Sequence, residues 1–346
     1  MQLSPNHQYL KLTTLLGKGA YKMVYKAIHR PLGTLVAWNT TTQFSTQLFF
    51  QEIQLLSQIQ HENIIQLYDY FKVNDEFVFI TELMDCTLKE FLNILYDGQH
   101  FVDTHLKEDP YHLSNNMLMY KSWCRQILKG LHYMHEKQMI HRDIKCDNIF
   151  IIPSQNHLKI GDLGTAKLKQ GTKHTIIGTP EFMAPEMYEE DYSELVDIYA
   201  FGMTVIEMLS NEYPYHECTN AAQIFKKVSM EEHPQSLKKI KDEKMIDLIF
   251  KCICKTDKRW TAHQLLQDEL LLEEPLVTMS VVEPNLLQFH VLFTDNELSV
   301  KFPFNVMEDT AEDVVREMIE EDVLPKSYEQ LITNEMHRLI KELNNK

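Results

Sequence analysis

The stretch His141-Arg142-Asp143-Ile144-Lys145-Cys146-Asp147-Asn148 carries the most specific pattern in the sequence. A second acidic turn, Asp162-Leu163-Gly164, follows it, and Ala184-Pro185-Glu186 comes third. A long motif followed by two others in a fixed order is too specific to arise by chance. These three motifs together are the basis of the fold prediction.

The motifs resemble those of the protein kinases. Phosphoryl transfer depends on charge placement more than on covalent chemistry, so it needs an acid that orients the attacking hydroxyl and oxygen ligands for magnesium. The resemblance implies that Asp143 is this acid and that Lys145 contacts the transferring phosphate. By the same resemblance, Asn148 and Asp162 would hold Mg2+. ATP and Mg2+ are the expected cofactors, and protein Ser or Thr hydroxyls are the expected acceptors.

The segments around these motifs predict two lobes. A three-strand meander is indicated by the runs Tyr9–Leu16, Met23–Ile28 and Leu35–Trp38. Beyond Met84 the pattern is mostly helical, most clearly over Lys121–Lys137. A small sheet followed by helices predicts two lobes with a cleft between them. The kinase resemblance implies an α+β, bilobal kinase fold with a β-rich N-lobe and a larger helical C-lobe. The resemblance covers residues 9–272, which we expect to form the kinase domain.

The kinase resemblance also assigns a nucleotide site. Its glycine-rich loop begins Gly17-Lys18-Gly19, and the apolar residues Val24 and Ala37 would lie against adenine. Glu52 matches the glutamate that pairs with the nucleotide lysine. The positions of a kinase hinge, with its gatekeeper and backbone contacts to adenine, fall on Thr81, Glu82 and Met84. The residues that would brace the large lobe are Asp197, Gly202 and Arg259.

One position departs from the kinase pattern. The third strand reads Val36-Ala37-Trp38-Asn39 where kinases end in lysine, so Asn39 supplies no charge for phosphate or for Glu52. The glycine-rich loop carries Lys22 in place of its third glycine. Because strand side chains alternate with a period of two, Lys22 points the same way as Val24 and can reach the phosphates and Glu52. The sequence therefore predicts that the nucleotide lysine has moved to Lys22.

This relocated lysine resembles the with-no-lysine (WNK) family of serine/threonine protein kinases. The segments Ser122–Gly130 and Ile177–Glu190 are also similar to that family. The resemblance implies a downstream Ste20-like kinase as protein substrate and a role in ion or volume regulation. The alternative is a pseudokinase that binds partners without catalysis. The presence of Asp143, Asn148 and Asp162 argues against it, because a non-catalytic chain has no chemical need for all three.

The stretch Asp162–Glu186 corresponds to a kinase activation segment. Thr175 lies four residues before Thr179, where the WNK family carries its activating serine, and Thr172 falls near a second family phosphosite. A phosphate on Thr175 could pair with Arg142 and order the segment. Thr175 and Thr172 are the expected phosphorylation sites, with an unmodified loop threonine as the alternative.

A second, smaller unit is expected at the end of the chain. Residues 273–283 mix acidic and apolar side chains and predict a linker, and residues 284–345 predict a small ββα domain. Asn285–Phe293 and Glu297–Phe304 indicate a hairpin. Thr310 with Asp313 forms a capping box that opens the following helix.

This unit resembles the conserved C-terminal (OSR/SPAK-type) domain found after WNK kinases and on the kinases they activate. The resemblance implies a groove for short Arg-Phe-x-Val peptides between Phe302 and Phe304, on an exposed hairpin, and the helix that carries Glu317. Asp309 and Glu317 would face the arginine of the peptide. A solvated acidic helix without a partner is the alternative.

Composition limits the remaining function classes. Fifty acidic against 34 basic residues give a formal charge of −16, the wrong sign for binding nucleic acid. The six cysteines match no common zinc pattern, which favours reduced thiols in a cytoplasmic protein. The sequence has no apolar stretch of about eighteen residues and no signal-type N-terminus, so neither membrane spanning nor secretion is expected.

Overall fold

The computed structural model describes residues 2–18, 23–41, 53, 57–73, 76–96, 117–162, 167–168, 178–189, 192–272, 275–293 and 299–344. Its strands are β1 (Gln2–Leu3), β2 (Tyr9–Lys18), β3 (Met23–His29), β4 (Thr34–Thr41), β5 (Leu67–Val73), β6 (Glu76–Glu82), β7 (Cys86–Thr87), β8 (Met139–Ile140), β9 (Ile149–Ile152), β10 (His157–Ile160), β11 (Lys167–Leu168), β12 (Leu276–Glu283), β13 (Leu286–Leu292) and β14 (Ser299–Asn305). Its α-helices are α1 (Leu88–Tyr96), α2 (Met117–Glu136), α3 (Leu195–Ser210), α4 (Ala221–Ser229), α5 (Glu243–Ile253), α6 (Ala262–Leu266), α7 (Ala311–Glu320) and α8 (Glu329–Asn344).

The N-terminal part is an antiparallel sheet in the order β1-β2-β3-β4-β6-β5. The turn between β3 and β4 ends at Gly33, whose φ of 67° favours glycine. Trp38 on β4 is fully buried and meets Phe71 of β5 edge-on, with ring centroids 5.1 Å apart. The meander expected from the sequence is confirmed, and its third strand runs on to Thr41.

The part after β6 is mostly helical, and α3 lies at its centre. Nearly every side chain of α3 from Val196 to Met208 is buried. The helix packs closely on α5, because a Cβ at Gly202 would lie 2.7 Å from atoms of Cys252 and Ile253. Gly202 therefore permits this helix contact, which agrees with its expected bracing position. Two small sheets, β10-β9-β7 and β11-β8, lie beside the helices.

Two predicted segments lie largely outside the residues that the structure describes. The helix expected over residues 46–60 lies largely outside the described part of the chain, where Ile53 is helical. The surface insertion expected over residues 97–117 also lies outside it, except for the first residue of α2. The helix expected over 121–137 is confirmed and begins earlier, at Met117.

Contacts divide the chain into two units, Met1–His263 and Gln264–Lys346. The stretch 273–283, predicted to be a linker, instead contains β12, which pairs along β13 from Leu276 to Glu283. The linker prediction was wrong there because the stretch forms a strand, and its Val277 side chain is buried in the core of the second unit.

The second unit consists of a sheet in the order β12-β13-β14 with helices α7 and α8. The predicted hairpin is confirmed as β13 and β14, with Phe289 opposite Phe302. Thr310 caps α7, accepting a hydrogen bond from the Asp313 backbone N–H at 3.2 Å and donating one to the Asp313 carboxylate at 2.6 Å. The outer strand β14 carries Pro303 at its middle.

The two candidate docking phenylalanines are core residues of this unit. Phe302 is 6% exposed and Phe304 is 3% exposed, and both rings pack against Phe289. The expectation that they lie on an exposed hairpin was wrong, because the face that carries them is the face covered by α7 and α8.

Among the described helices of the chain, none combines the length and apolar character needed to cross a lipid bilayer.

Candidate active site

The stretch 141–148 is held by one carboxylate of helix α3. Asp197, which has no exposed surface, accepts hydrogen bonds from the backbone N–H groups of His141 and Arg142, both at 2.8 Å. His135 Nε2 lies 3.0 Å from the same carboxylate. Burial raises the pKa of Asp197, but the contacts with His135, His141 and the Arg142 backbone outweigh it and hold this pKa below the usual 3.8. The carboxylate stays charged and fixes the start of the loop.

Two further residues of α3 continue this support along the loop. Thr204 donates a hydrogen bond to the Ile144 carbonyl at 3.4 Å, and Glu207 accepts one from the Cys146 backbone N–H at 3.4 Å. Glu207 is buried and pairs with Lys89 of α1 at 2.8 Å. Burial raises the pKa of Glu207, and the Lys89 ammonium partly offsets that effect. One helix face therefore fixes the backbone on which the candidate catalytic side chains stand.

Three donors converge on the carboxylate of Asp143. Asn148 Nδ2 donates to Asp143 Oδ2 at 2.7 Å, and the hydroxyl and backbone N–H of Thr179 donate to Oδ1 at 2.8 and 3.1 Å. Lys145 Nζ lies 3.3 Å from Oδ2 and donates to the Thr179 hydroxyl at 2.6 Å. The structure thus brings together Asp143, Lys145 and Asn148 as the sequence predicts.

Thr179 is the site residue that sequence reasoning missed, since it served there only as a landmark for Thr175. Its approach to the loop depends on Gly178, which has a φ of 134° and whose Cβ, if present, would lie 2.8 Å from the Arg142 carbonyl oxygen. The available signal was the sequence Gly178-Thr179-Pro180, a glycine and a proline on either side of a hydroxyl. The pattern indicates a fixed turn, but it does not indicate that Thr179 in this turn donates hydrogen bonds to the Asp143 carboxylate.

Asp162 follows strand β10 and lies beside the same loop. The Gly161 backbone N–H donates to the Asn148 carbonyl at 2.8 Å, and the Gly161 carbonyl lies 2.9 Å from His141 Nε2. A Cβ at Gly161 would lie 2.6 Å from the Phe150 ring, so a larger residue there would force that ring to move. Asp162 itself adopts a positive φ of 51°, a strained conformation common at functional sites.

These residues fit a hard divalent cation. Asn148 uses its amide nitrogen for both contacts with Asp143, which leaves its amide oxygen as a ligand. That oxygen and the carboxylate of Asp162 are the donor type that magnesium prefers. Asn148 and Asp162 are the residues that would hold the cation.

The strands of the N-terminal sheet position the candidate nucleotide residues. Val24 on β3 pairs with Asn39 on β4, and Ala37 pairs with Thr81 on β6. Cross-strand partners point to the same face of a sheet, so these four side chains share one face. Gly17 and Lys18 end β2 opposite Val24 and Met23, and Met84, just beyond β6, is buried.

Asn39 is a hydrogen-bonded buried amide at the position where the sequence comparison with kinases led us to expect lysine. It is 5% exposed, and its Nδ2 donates to the Phe79 carbonyl at 3.3 Å and to the Thr81 hydroxyl at 3.2 Å. The position is polar but carries no charge. Gly19, Lys22, Glu52, Thr172 and Thr175 lie outside the described residues.

Arg259 braces the large helical part. Its guanidinium forms a bidentate pair with Glu186, the last residue of the third motif, and also donates to the Leu195 carbonyl at 2.9 Å and the Cys254 carbonyl at 3.0 Å. Through its bonds to Glu186 and to the Leu195 carbonyl, Arg259 joins the third motif to the start of α3.

The candidate docking carboxylates of the second unit differ in their surroundings. Asp309 is half-buried and accepts a hydrogen bond from the Asn305 backbone N–H at 2.7 Å, so it stabilises the turn after β14. Glu317 is exposed on α7. With Phe302 and Phe304 in the core, the four residues do not line one open groove.

Comparison with known proteins identifies the family. The protein kinase domain family matches residues 10–271, so the chain belongs to it and has its bilobal α+β fold. The chain is 47% identical over 353 residues to the serine/threonine-protein kinase pkpA of Phycomyces blakesleeanus, which covers 99% of this chain and 55% of that protein. The probable serine/threonine-protein kinase WNK10 of Arabidopsis thaliana is 44% identical over 281 residues, covering 78% of this chain and 51% of that protein. The serine/threonine-protein kinase WNK2 of Homo sapiens is 37% identical over 341 residues, covering 90% and 14%.

The relatives are named serine/threonine-protein kinases, so the chain is similar to that class of protein kinases, in line with the prediction. Relatives named WNK match it at 36–44% identity over most of its length, so it is similar to the WNK type. The chain spans about half the length of the first two relatives.

Proposed function

We propose that the chain transfers the γ-phosphoryl group of ATP to Ser or Thr hydroxyls of proteins, with Mg2+ as the metal ion. The observation that carries this proposal is the convergence of Lys145, Asn148 and Thr179 on Asp143. A carboxylate fixed in this way is oriented to accept the proton of the attacking hydroxyl. The new bond joins that hydroxyl oxygen to the γ-phosphorus, and the bond to the bridging oxygen of ADP breaks.

The remaining side chains stabilise the negative charge on the phosphates during this step. Lys145, 3.3 Å from Asp143, would contact a phosphate oxygen as negative charge shifts towards ADP. Asn148 and Asp162 would hold Mg2+, which neutralises charge on the β- and γ-phosphates. Thr179 keeps Asp143 and Lys145 at a fixed separation through one hydroxyl.

Lys22 supplies the nucleotide cation in this proposal. The pairing of Val24 with Asn39 supports it, because these two side chains share one face of the sheet. The period of two of an extended strand predicts the same face for the residue two positions before Val24. Asn39 uses its amide for Phe79 and Thr81 and offers no charge, so a cation from the neighbouring strand is needed for the phosphates and for Glu52. Asn39 then has a structural role, and Lys22 the electrostatic one.

The test compares Lys22→Met with Asn39→Ala. Loss of the proposed nucleotide cation should lower kcat/KM by about 10²- to 10³-fold, the size of a lost transition-state contact. Asn39→Ala removes hydrogen bonds behind the nucleotide and should lower thermal stability much more than turnover. Near wild-type turnover of Lys22→Met would refute the relocation.

A phosphotransfer assay of the purified chain with ATP and Mg2+ separates the enzyme from a pseudokinase. Asp143→Asn is the matched control, since it keeps the shape of the side chain and removes the proton acceptor. Transfer that is equal for wild type and Asp143→Asn would point to a contaminating kinase and contradict the assignment of Asp143.

The partners and regulation follow the WNK resemblance. A downstream Ste20-like kinase is the proposed substrate, in ion or volume regulation, with the cytoplasm as the site of action. Phosphorylation of Thr175, and of Thr172 in addition, is the proposed activation step. Arg-Phe-x-Val peptides are the proposed ligands of the second unit, which requires a surface other than the buried rings of Phe302 and Phe304.

Calorimetry tests that peptide proposal. Glu317 is the better probe of the two carboxylates, because it is exposed whereas Asp309 holds a turn. An Arg-Phe-x-Val peptide should bind the wild type and bind Glu317→Ala more weakly, with a peptide that carries Ala for Arg as control. Equal binding of both peptides, or of neither, would leave α7 as a solvated acidic helix.

A further inference from the structure

The side chain of Glu82, at the end of β6, joins three separate segments. Its Oε1 accepts a hydrogen bond from the Gln66 backbone N–H at 2.6 Å and from Lys159 Nζ at 2.9 Å. The Glu82 backbone N–H in turn donates to the Gln66 carbonyl at 3.1 Å. Glu82 and Lys159 are 17% and 14% exposed, so the pair is largely shielded from water. Such pairs hold geometry better than solvent-exposed ones.

The segment before β5 is bound to β10 next to this pair. Ile64 forms a parallel bridge with Ile160, whose backbone N–H donates to the Asn63 carbonyl at 2.8 Å. The Ile65 backbone N–H donates to the Ile160 carbonyl at 2.8 Å, and Asn63 Nδ2 donates to the Leu158 carbonyl at 3.0 Å. Residues 63–66 and 158–160 therefore form one hydrogen-bonded block, and Glu82 ties the end of β6 to it.

This block leads directly to the candidate metal residue. Lys159 is three residues before Asp162, and Ile160 and Gly161 connect them. Gly161 is held on its other side by Asn148 and His141. Asp162 therefore lies between two fixed points, the stretch 141–148 on one side and the block with Glu82 on the other.

We propose that Glu82 and Lys159 are a positioning pair, which sets Asp162 relative to the strand end that carries the hinge. The inference rests on the proposed role of Asp162 as a metal ligand. The backbone around Glu82 is the expected adenine contact, so the pair links the place where the base is held to the place where the phosphate-bound cation is held. Neither side chain touches the nucleotide; each acts through its strand.

The test uses Lys159→Met, which keeps the length of the side chain and removes its charge, and Lys159→Arg as the conservative rescue. Lys227→Met is the matched control, since Lys227 pairs with Glu217 at 2.8 Å with similar partial burial in a different part of the chain. For Lys159→Met, KM for MgATP should rise by about fivefold and kcat change by less than about twofold. Lys159→Arg should restore KM, and Lys227→Met should leave KM unchanged.

A second measurement does not depend on activity. Hydrogen exchange of the nucleotide-free protein should speed up at residues 63–66 and 158–162 in Lys159→Met, and not in Lys227→Met. Glu82→Gln keeps an acceptor for the Gln66 backbone N–H but removes the negative charge of the pair. It should speed up exchange at the same residues, and it replaces Lys159→Met in the test if that variant fails to fold. If the wild type transfers no phosphate, the proposed function fails while exchange still tests the pair.

Three results would overturn the inference. Exchange at 158–162 equal to that of the control would mean that the pair does not hold the strand. Faster exchange with an unchanged KM would mean that the strand moves without displacing Asp162. A loss of kcat alone, with KM unchanged, would equally contradict a role in placing the MgATP complex.

Discussion

Substitution of Asp197 by Asn tests the support of the catalytic loop. Asp197 has no exposed surface and accepts from two backbone N–H groups at 2.8 Å and from His135 at 3.0 Å. The two carboxylate oxygens serve different donors, so either orientation of an asparagine amide turns an NH2 group towards a backbone N–H. One hydrogen bond to a charge is then lost and buried donors are left unpaired, which costs about 3–5 kcal/mol in all.

The assay is urea unfolding followed by tryptophan fluorescence. The chain's three tryptophans, Trp38, Trp123 and Trp260, all lie in the first unit, so the signal reports that unit alone. With a slope of about 3 kcal/mol per molar urea, the midpoint should fall by about 1–1.7 M. The control Asp247→Asn removes the pair between the exposed Asp247 and the partly buried Lys251 and should cost about 0.5 kcal/mol or less.

The pH dependence of this difference follows from the lowered pKa of Asp197. A carboxyl group whose folded-state pKa lies below its unfolded value contributes stability that is complete above the unfolded pKa and disappears as the pH falls through the folded one. The unfolded value is near 3.8, so the difference between wild type and Asp197→Asn should be constant from about pH 6 to 8 and shrink below about pH 4. A loss under about 1 kcal/mol, or a difference that grows steeply between about pH 6 and 8, would refute the reasoning.

Three further predictions follow from the described contacts and from the activation proposal. Thr179→Val should lower kcat by about 10²-fold through misplacement of Asp143 with little change in the urea midpoint, while Thr179→Ser keeps most activity; equal kcat for both variants would contradict this. Phe289→Ala should destabilise the second unit by about 3–5 kcal/mol, measured by hydrogen exchange over 286–305, and leave tryptophan unfolding unchanged. Thr175→Ala should lower activity without unfolding the first unit; mass spectrometry that never finds phosphate on Thr175, with an unimpaired variant, would reject that site.

The sequence was most informative where local chemistry alone determines structure. Gly33, whose positive φ favours glycine, lies in the turn between two runs of strand-forming residues, so the meander followed from short-range pattern. The cap at Thr310 is likewise complete within four residues. The loop 141–148 was placed by its own residue types, because phosphoryl transfer restricts them strongly.

Contacts that depend on partners distant in the sequence were not predictable. The hydrogen bonds of Asn39 require the register between β4 and β6, and those of Thr179 require the activation segment to fold back onto Asp143. The hairpin was found, but which of its faces would be covered depended on α7 and α8, so Phe302 and Phe304 were assigned to the surface. The strand β12 was missed because its end, with Val281 and Val282 both exposed, does not alternate.

Pro303, in the middle of β14, affects whether copies of the second unit can pair through this edge strand at high protein concentration. A proline has no backbone N–H, and within sheets it is tolerated at edges. At Pro303 the outer rim of the sheet β12-β13-β14 therefore lacks one donor that an added strand would need. Copies of the chain that meet along the β14 edge would leave a gap in the hydrogen bonds between them, which disfavours extension of the sheet at this edge.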